Sequence, residues 1–327
     1  MEYRRLGSAG LKVSALSFGS WVTFGNQLDE DLAFECMKTA FEAGINFFDN
    51  AEVYAQGEAE ILMGRALRRA GWKRSDLVIS TKLFWGGDGP NDMGLSRKRI
   101  LEGIDASLQR MEMDYVDLLF AHRPDPETPI EETVRAMNHV LNQGKAIYWG
   151  TSEWTAGQVR EAHDIAKREH LIGPQMEQPQ YNMFHRERVE QELRALYDEI
   201  GLGTTIWSPL ASGILTGKYS GGTIPEGSRF SVESYSWLKE QHFDSDSGKE
   251  RIRKVDRLAE VAKALGCTLA QLAIAWTLRH PWVSTAITGA SRPQQILENL
   301  KALDVLKQLD DGVLEHIEKI LKDEPAS

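Results

Sequence analysis

Short apolar runs alternate with longer amphipathic segments along the whole chain. An apolar run of about four to eight residues is typical of a buried strand, whereas apolar residues that recur every three or four positions indicate a helix. The apolar runs begin at Ala15, Ile45, Asp76, Val116, Ala146, Pro174, Gly203 and Val283. Eight strands separated by helices predict a parallel sheet built from βαβ units.

Several intervening segments carry signals for helix ends. We expect Thr128 to cap a helix whose first residue is Pro129 and which stops before Gly144. Ser291 and Gln294 fit a capping box at the start of a later helix. These segments therefore predict amphipathic helices that cover the sheet.

The number of strand and helix units selects one α/β architecture. Eight units favour a closed (β/α)8 TIM barrel over an open doubly wound sheet, because such barrels take about 250 residues plus insertions. No G-x-G-x-x-G sequence follows any predicted strand, so a dinucleotide bound in the Rossmann manner is not expected. Since composition marks no boundary, we expect residues 1–327 to form a single barrel domain.

A long polar segment interrupts the regular alternation. It lies between "WSPLASG", at the predicted seventh strand, and a helix that begins near Lys249, and it is rich in Gly and Ser. Loops of this length inside a compact domain are usually functional or disordered. In a barrel the loop would rise from the carboxyl end of the strands, where active sites of this fold lie. A C-terminal helix follows the last strand.

Composition excludes several classes of partner. The net charge is -10, which argues against binding to a nucleic-acid backbone, although a small anionic ligand in a local basic pocket stays open. No apolar run reaches the ~20 residues of a membrane span, and the start of the chain lacks a signal peptide. We therefore expect a cytoplasmic protein without membrane insertion. Cys36 and Cys267 are expected to serve in packing, and no metal site is expected.

Polar side chains follow most of the predicted strands. If the carboxyl ends of the strands meet at one face, these residues become neighbours: Asp49, Tyr54, Lys82, His122, Ser152, Gln178 and Ser208. Each has an ordinary explanation on its own. A Lys at a strand end can extend into solvent, a His can be a hydrogen-bonded core residue, and an Asp can accept from loop amides.

Four of these residues together form a proton-transfer device. A tyrosine has a pKa near 10 in water, and a neighbouring ammonium such as that of Lys82 would lower it. Lys82 in turn needs a counter-ion in a partly desolvated pocket, and Asp49 can supply it. His122 can donate a hydrogen bond to a carbonyl oxygen or share the proton of Tyr54. Because none of the four is a redox centre, any electrons must come from another group.

Seven sequence motifs carry a resemblance to a known family. In chain order they are "FFDNAEVY", "ISTK", "FAHRPD", "WGTSEW", "EQPQYN", "WSPLASGILTGKY" and "TGASRPQQILENL". They resemble the signatures of the aldo-keto reductase superfamily along nearly the whole chain. The last two are most similar to the branch that contains the voltage-gated potassium channel β subunits and their plant and microbial relatives.

The resemblance implies a (β/α)8 barrel that binds NADPH in extended form without a Rossmann domain. It implies a catalytic tetrad of Asp49, Tyr54, Lys82 and His122, with Tyr54 as the general acid in carbonyl reduction. The residues that it implies for cofactor binding, besides Asp49, are Ser20, Trp21, Gln27, Ser152, Gln178, Trp207, Ser208, Pro209, Leu210, Ala211, Ser212, Lys218, Arg229, Gly289, Ser291, Gln295, Glu298 and Asn299. Animal channel β subunits usually carry Asn in place of His122 and Arg in place of Glu153.

The residues around Ser291 are by themselves consistent with a bound anion, such as the 2′-phosphate of the cofactor. Ser291 is expected to cap a helix whose free amides and dipole favour a negative group, and Arg292 in the first turn could add a positive charge. A 2′-phosphate fits this place better than a ribose hydroxyl. A solvated surface arginine is an equal alternative for Arg292.

Two functions of different classes follow. The first is an NADP-dependent reductase of small aldehydes and ketones, and His122 favours this one. The second is a cytoplasmic potassium-channel β subunit, or a redox-sensing NADPH-binding module with slow turnover. An ion-channel partner and a homotetramer accompany the second function. The first predicted strand lies near Met1, so we expect no long N-terminal tail that plugs a pore. A barrel with an unrelated hydrolytic or isomerase chemistry would require the tetrad to be a coincidence.

The substrate is left open by the sequence, although aromatic residues near the predicted pocket favour apolar or aromatic carbonyl compounds. Each of these residues could equally serve in packing. They are Trp21, Phe24, Tyr54, Phe84, Trp85 and Trp154.

Overall fold

The computed structural model describes residues 1–21, 24–25, 28–226, 228–231 and 236–322. The strands are β1 (Tyr3–Arg5), β2 (Lys12–Ser14), β3 (Leu16–Gly19), β4 (Phe47–Asp49), β5 (Val78–Leu83), β6 (Val116–Ala121), β7 (Ala146–Thr151), β8 (Met176–Glu177), β9 (Gly203–Ile206) and β10 (Val283–Thr288). The α-helices are α1 (Glu30–Glu42), α2 (Glu58–Ala70), α3 (Arg97–Met111), α4 (Ile130–Asn142), α5 (Ala156–Arg168), α6 (Arg194–Glu199), α7 (Ser236–Lys239), α8 (Asp246–Ala264), α9 (Leu269–Thr277), α10 (Pro293–Leu300), α11 (Ala302–Leu306) and α12 (Asp311–Leu321).

Strands β3 to β10 form a closed parallel barrel in chain order, and β10 pairs with β3 to close it. Each of the eight predicted apolar runs contains one of these strands, so the (β/α)8 prediction is confirmed. Every residue of β5 and of β10 is buried, as expected for parallel strands that are covered on both faces. All eight strands point their carboxyl ends the same way.

An antiparallel hairpin of β1 and β2 precedes the barrel and was not predicted. Its Leu6 and Val13 pack in one core cluster with Phe47 and Val78, the residues that begin β4 and β5. The hairpin therefore packs at the amino ends of the barrel strands, opposite the predicted site. Gly7 in its turn has φ +56°, and a Cβ there would lie 2.2 Å from the carbonyl oxygen of Gly201. Only glycine fits this close approach.

The helix ends partly match the predicted signals. Gly144 has φ +71° just after α4, as a C′ glycine does. Thr128 is not the N-cap, because α4 begins at Ile130 with Pro129 as its cap. The Thr128 hydroxyl instead donates to Asp125 Oδ2 at 2.7 Å, and a charged acceptor forms the stronger hydrogen bond.

The chain divides into two compact units. The first comprises Met1–Gln180, Glu187–Trp207 and Trp282–Leu297, and it contains every barrel strand. The second comprises Tyr181–Arg186, Ser208–Pro281 and Glu298–Ser327. The single-domain assignment of residues 1–327 stays a prediction.

The long segment after β9 contains helical structure in its described part. Single-turn helices span Ala211–Thr216, Ser220–Gly222 and Arg229–Ser231, and α7 and α8 follow. Among the described helices, none is long and apolar enough by itself to cross a membrane. The pair α8 and α9 passes that test of length and composition together, with a bend of 92° between them.

Candidate active site at the carboxyl ends of the barrel strands

A buried ion pair lies at the ends of two neighbouring strands. Asp49 ends β4 and Lys82 is the penultimate residue of β5, so parallel pairing brings the two side chains together. Lys82 Nζ lies 2.7 Å from Asp49 Oδ2, and the side chains are 0% and 3% exposed. Burial of two charges is costly unless each is paired and hydrogen-bonded. The remaining contacts of both groups therefore decide whether the pair is well held.

Both members of the pair have further partners. Lys82 Nζ also donates to the carbonyl oxygen of Asn50 at 2.7 Å and to the Tyr54 hydroxyl at 3.1 Å. The second carboxylate oxygen of Asp49 accepts from Ser80 Oγ at 2.8 Å and from Gln178 Nε2 at 3.1 Å. Three strands thus fix the position of the ammonium against the phenol.

Tyr54 reaches the ion pair from a short loop after β4. It begins a single helical turn in which Ala55 and Gln56 have φ values of +49° and +56°. Residues other than Gly in this region cost on the order of 1–3 kcal/mol each and cluster at functional sites. The strained turn directs the phenol towards Lys82, whose Nζ also lies 4.7 Å from the centre of the ring.

Burial and the neighbouring charges together set the protonation of Tyr54. Burial raises the pKa of Tyr54, and the positive charge of Lys82 opposes this shift without outweighing it. Burial would lower the pKa of Lys82, but Asp49 and Tyr54 outweigh burial and raise it. At neutral pH the structure therefore holds a protonated phenol beside an ammonium. Lys82 lowers the pKa of Tyr54 as expected, but burial raises it by more, so the net shift is upward.

His122 completes the set as a neutral imidazole. It follows β6, and its ring centre lies 5.9 Å from that of Tyr54. Burial, followed by the charges of Lys82 and Arg123, holds its pKa well below the usual value. Within the described part of the chain, its buried Nδ1 has no hydrogen-bond partner. A neutral imidazole carries one N–H donor, and a ligand can use it.

Ser152 and Gln178 lie beside the tetrad with groups suited to a carboxamide. Both amide hydrogens of Gln178 are directed to Asp49 Oδ1 and to Thr205 Oγ1, at 3.1 and 3.3 Å. This leaves the Gln178 side-chain oxygen as an acceptor. Ser152 Oγ donates to the Gln178 carbonyl at 2.9 Å and keeps lone pairs as an acceptor. These residues therefore fit the amide of a nicotinamide ring.

Trp207 and Trp21 form an aromatic wall in the same unit. Their rings meet edge to face at 5.8 Å, and Trp21 lies 6.4 Å from Tyr54. Glu153 fixes this wall, because its Oε1 accepts from the Trp207 indole at 2.9 Å and from the Gln180 backbone at 2.6 Å. Glu153 is not among the site residues predicted from the sequence. Its φ of +60° shows only in the structure.

The other predicted cofactor residues of the barrel unit lie in three places. Ser20 donates to the Asp49 carbonyl and to Asn50 Oδ1, at 3.1 and 2.8 Å. Ser291 lies two residues before α10. The backbone N–H of Ser291 donates to Gln295 Oε1 at 2.8 Å, whereas the predicted capping box gave this contact to Gln294. Gly289 lies in the loop between β10 and α10. Gln27 is outside the described residues.

The remaining predicted cofactor residues belong to the second unit. Ser208, Ala211 and Ser212 have φ values of +55°, +47° and +57°. The backbone N–H groups of this turn are used within it: Ala211 donates to the Ser208 carbonyl at 3.0 Å, and Ser212 donates to the Ser208 hydroxyl at 3.2 Å. Pro209 and Leu210 complete this turn, Lys218 follows it, and Glu298 and Asn299 lie at the end of α10. The side chain of Arg229 is outside the described part of the structure.

The aromatic residues proposed for the pocket separate into two groups. Phe24 and Trp154 are buried core residues with relative exposures of 0% and 1%. Phe84 and Trp85 are half-buried, and the Trp85 ring lies 5.0 Å from that of His122. Trp85 is therefore the aromatic residue best placed to contact a substrate beside the tetrad.

A second buried ion pair supports the loop that carries Tyr54. Glu52 pairs with Arg99 of α3, and Glu52 Oε1 accepts from the Phe84 backbone at 2.7 Å. Arg99 Nε also donates to the carbonyl oxygen of Asp92 at 2.9 Å. These contacts tie the loop after β4 to the loop after β5. No sequence motif indicated this link, because its members are spread over three segments.

Comparison with known proteins agrees with this geometry. The model of the aldo/keto reductase family matches residues 15–322. The chain belongs to the aldo/keto reductase family. It is 58% identical over 325 residues to a "Probable voltage-gated potassium channel subunit beta" of Arabidopsis thaliana, and 56% identical to a protein of the same name of Oryza sativa subsp. japonica. Each alignment covers 99% of this chain and 98% of the relative.

Family membership indicates an oxidoreductase, and aldo/keto reductases generally bind NAD(P)H. The resemblance stated from the seven motifs is therefore confirmed. The four residues of the tetrad lie together at the carboxyl ends of β4, β5 and β6.

This aldo/keto reductase also holds a buried acid next to Gln178. Glu177 is fully buried, and burial raises its pKa to about 8. Its Oε2 contacts the Thr151 hydroxyl, and its Oε1 accepts from the Trp154 backbone at 3.2 Å. A protonated acid satisfies both contacts, because it carries one donor and one acceptor. Glutamine carries the same pair without titrating.

We therefore expect Glu177→Gln to flatten the pH dependence of stability. In the wild type the folded acid stays protonated while the unfolded acid ionises, so stability is fully present below pH 4.5 and is lost as pH rises to about 8. The loss approaches about 1.4 kcal/mol per pH unit. Urea unfolding of both proteins from pH 5 to pH 8 measures it. Parallel stability curves would show that Glu177 is ionised when folded.

Proposed function

We propose that this protein reduces aldehydes and ketones to alcohols with NADPH as the hydride donor and Tyr54 as the general acid. The observation that supports this most directly is the contact of the Tyr54 hydroxyl with Lys82 Nζ at 3.1 Å. The ammonium is paired with Asp49 and has no exposed surface. The phenol thus faces a fixed positive charge that can stabilise it when it loses its proton.

Tyr54 transfers its proton to the oxygen of the substrate as that oxygen gains negative charge. NADPH, when bound, supplies the hydride for the carbonyl carbon. His122 is neutral and donates a hydrogen bond to the same oxygen, and the two donors stabilise it as charge develops. Lys82 then stabilises the phenolate of Tyr54 until solvent restores the proton. Because these groups are held by packing, they need little rearrangement during the reaction.

The proposed cofactor contacts rest on the donor and acceptor groups of the chain. Ser152 and Gln178 would bind the carboxamide of the nicotinamide, and Trp207 would pack against the ring. For the segment from Ser208 to Ser212, contact with the pyrophosphate is proposed from the family resemblance alone. Ser291 and Arg292, before α10, favour the 2′-phosphate of NADPH over the free ribose of NADH. Arg292 is exposed, so a surface role for it remains the alternative explanation.

A second candidate function is a cytoplasmic channel β subunit that binds NADPH and turns over slowly. Two relatives that align over nearly the full chain carry the name of a probable voltage-gated potassium channel subunit beta. An ion-channel partner and a homotetramer belong to this candidate. The tetrad would be the same in both functions, so turnover distinguishes them.

The test is a screen for carbonyl-dependent NADPH oxidation over short aliphatic aldehydes, aromatic aldehydes, dicarbonyls and quinones. A reductase is expected to reach kcat values of about 1 s⁻¹ or more on at least one class. The same screen with NADH measures cofactor preference. Turnover far below this on every class, together with co-purification of a channel from membranes, would contradict the reductase and support the channel subunit.

A further inference from the structure

Arg123 lies beside the tetrad, and no step of the proposed proton transfer uses it as a proton donor or acceptor. It follows His122 directly in the chain and is half-buried. Its Nη1 donates to the His122 carbonyl at 2.5 Å and lies 3.3 Å from Ser152 Oγ. The guanidinium carbon lies 5.5 Å from the centre of the Trp85 ring. The side chain is thus held between Trp85 and Ser152, next to the tetrad.

The charge of Arg123 is not neutralised by a neighbouring acid. Its described contacts are a carbonyl oxygen, a hydroxyl and an indole ring. No Asp or Glu of the described chain forms an ion pair with it. Lys82 differs, because its ammonium is fully buried and paired with Asp49. Arg123 is therefore the partly accessible cation that this site presents to a ligand.

The acids near Arg123 along the chain and beside Ser152 are already engaged. Asp125, two residues after Arg123, accepts from the Leu95 backbone at 2.8 Å and from the Thr128 hydroxyl at 2.7 Å. Glu153 follows Ser152, and its Oε1 accepts from the Trp207 indole and from the Gln180 backbone. A guanidinium presents several N–H donors in a plane, and a carboxylate accepts two of them at once. The unpaired donors of Arg123 thus match a carboxylate on a ligand better than any neutral group.

The rings beside Arg123 indicate what kind of group could link the carboxylate of such a ligand to a carbonyl group at Tyr54. The Trp85 ring lies 5.0 Å from His122, which in turn lies 5.9 Å from Tyr54. Arg123, Trp85, His122 and Tyr54 therefore form a continuous series from a cation to the proton donor. A flat substrate can place a carbonyl group at Tyr54 and an acidic group at Arg123, with Trp85 against its ring.

We propose that Arg123 is a specificity-determining residue that selects carbonyl substrates bearing a carboxylate, aromatic aldehyde acids in particular. The proposal rests on the reductase function proposed above. Charge-assisted hydrogen bonds to a partly desolvated guanidinium favour the acid over an uncharged analogue by about 10-fold to 100-fold.

The kinetic test compares 2-, 3- and 4-carboxybenzaldehyde with their methyl esters. In the wild type we expect kcat/KM to be at least about 10-fold higher for the acid than for the ester in one or more of the three pairs. Arg123→Met should bring that ratio close to one, and Arg123→Lys should restore part of it. A general loss of activity cancels in the ratio.

Two kinetic outcomes would overturn the proposal. One is a wild-type ratio near one for all three isomers. The other is a fall of both rates by the same factor in Arg123→Met together with weaker NADPH binding, because this would mean that Arg123 only holds Ser152 in place. Since Arg is charged at every working pH, the ratio should also stay constant from pH 6 to pH 9.

A binding measurement separates this proposal from the reductase function. Calorimetry in the presence of NADP+ compares benzoate with benzamide on the wild type and on Arg123→Met. We expect at least about 10-fold tighter binding of benzoate to the wild type, and loss of that difference in the variant. Equal binding of the two ligands to the wild type would overturn the assignment of Arg123, whether or not any aldehyde is reduced.

Discussion

Replacement of Tyr54 by Phe is expected to reduce kcat for carbonyl reduction by about 100-fold to 10,000-fold, the range that a positioned general acid contributes. The phenol is protonated at neutral pH, because a tyrosine pKa is near 10 in water and burial raises it further here. Phe keeps the ring but removes the only proton that Tyr54 can transfer. Cofactor affinity should change little, since the hydroxyl hydrogen-bonds to Lys82. Steady-state kinetics and NADPH titration measure the two effects separately.

A suitable control for Tyr54→Phe is Tyr3→Phe. The Tyr3 hydroxyl donates to the Gly44 carbonyl at 2.9 Å in an exposed position on the hairpin, so its loss should leave kcat unchanged. For the wild type, reduction should be fastest at low and neutral pH and should fall above the raised pKa of Tyr54, where the phenol loses its proton. Full activity of Tyr54→Phe would contradict the assignment of the acid.

Replacement of Lys82 by Met is expected to affect stability and catalysis together. It removes one partner of a fully buried ion pair and leaves the Asp49 carboxylate uncompensated. Breaking a buried pair from one side costs about 3–5 kcal/mol. Reduction should also slow sharply, because no positive charge then stabilises the phenolate of Tyr54. Urea unfolding and the pH dependence of kcat measure these effects.

The double variant Asp49→Asn with Lys82→Met distinguishes the two effects. It removes both charges, so most of the lost stability should return while activity stays low. Recovery of activity in the double variant would mean that Lys82 acts only by holding the fold together. A normal rate and pH profile in Lys82→Met would show that the Tyr54 proton is controlled by another group.

Most barrel strands were predictable because they lie in short runs rich in apolar residues, as parallel strands buried on both faces do. Strand β8, which is only Met176 and Glu177, is the exception. The hairpin of β1 and β2 was not predicted, because its strands YRR and KVS carry one apolar residue each and form no apolar run. The exact start of α4 was missed for a local reason. The Thr128 hydroxyl donates to the carboxylate of Asp125 instead of capping the helix, and this contact depends on loop geometry.

The sequence by itself predicted the four residues that the structure brings together at the carboxyl ends of the strands. Strands of known order in a parallel barrel must deliver Asp49, Lys82 and His122 to the same end, and the motifs supplied Tyr54. The barrel fold and the family followed from the same order of strands and motifs.

Only the tertiary structure decided how these residues are charged and what surrounds them. The direction of the Tyr54 pKa shift is a balance between burial and the charge of Lys82. The protonation of Glu177 depends on its complete enclosure, and the unpaired charge of Arg123 depends on which acids face it. These are properties of distances between residues far apart in sequence, and electrostatic energies change steeply with distance and burial.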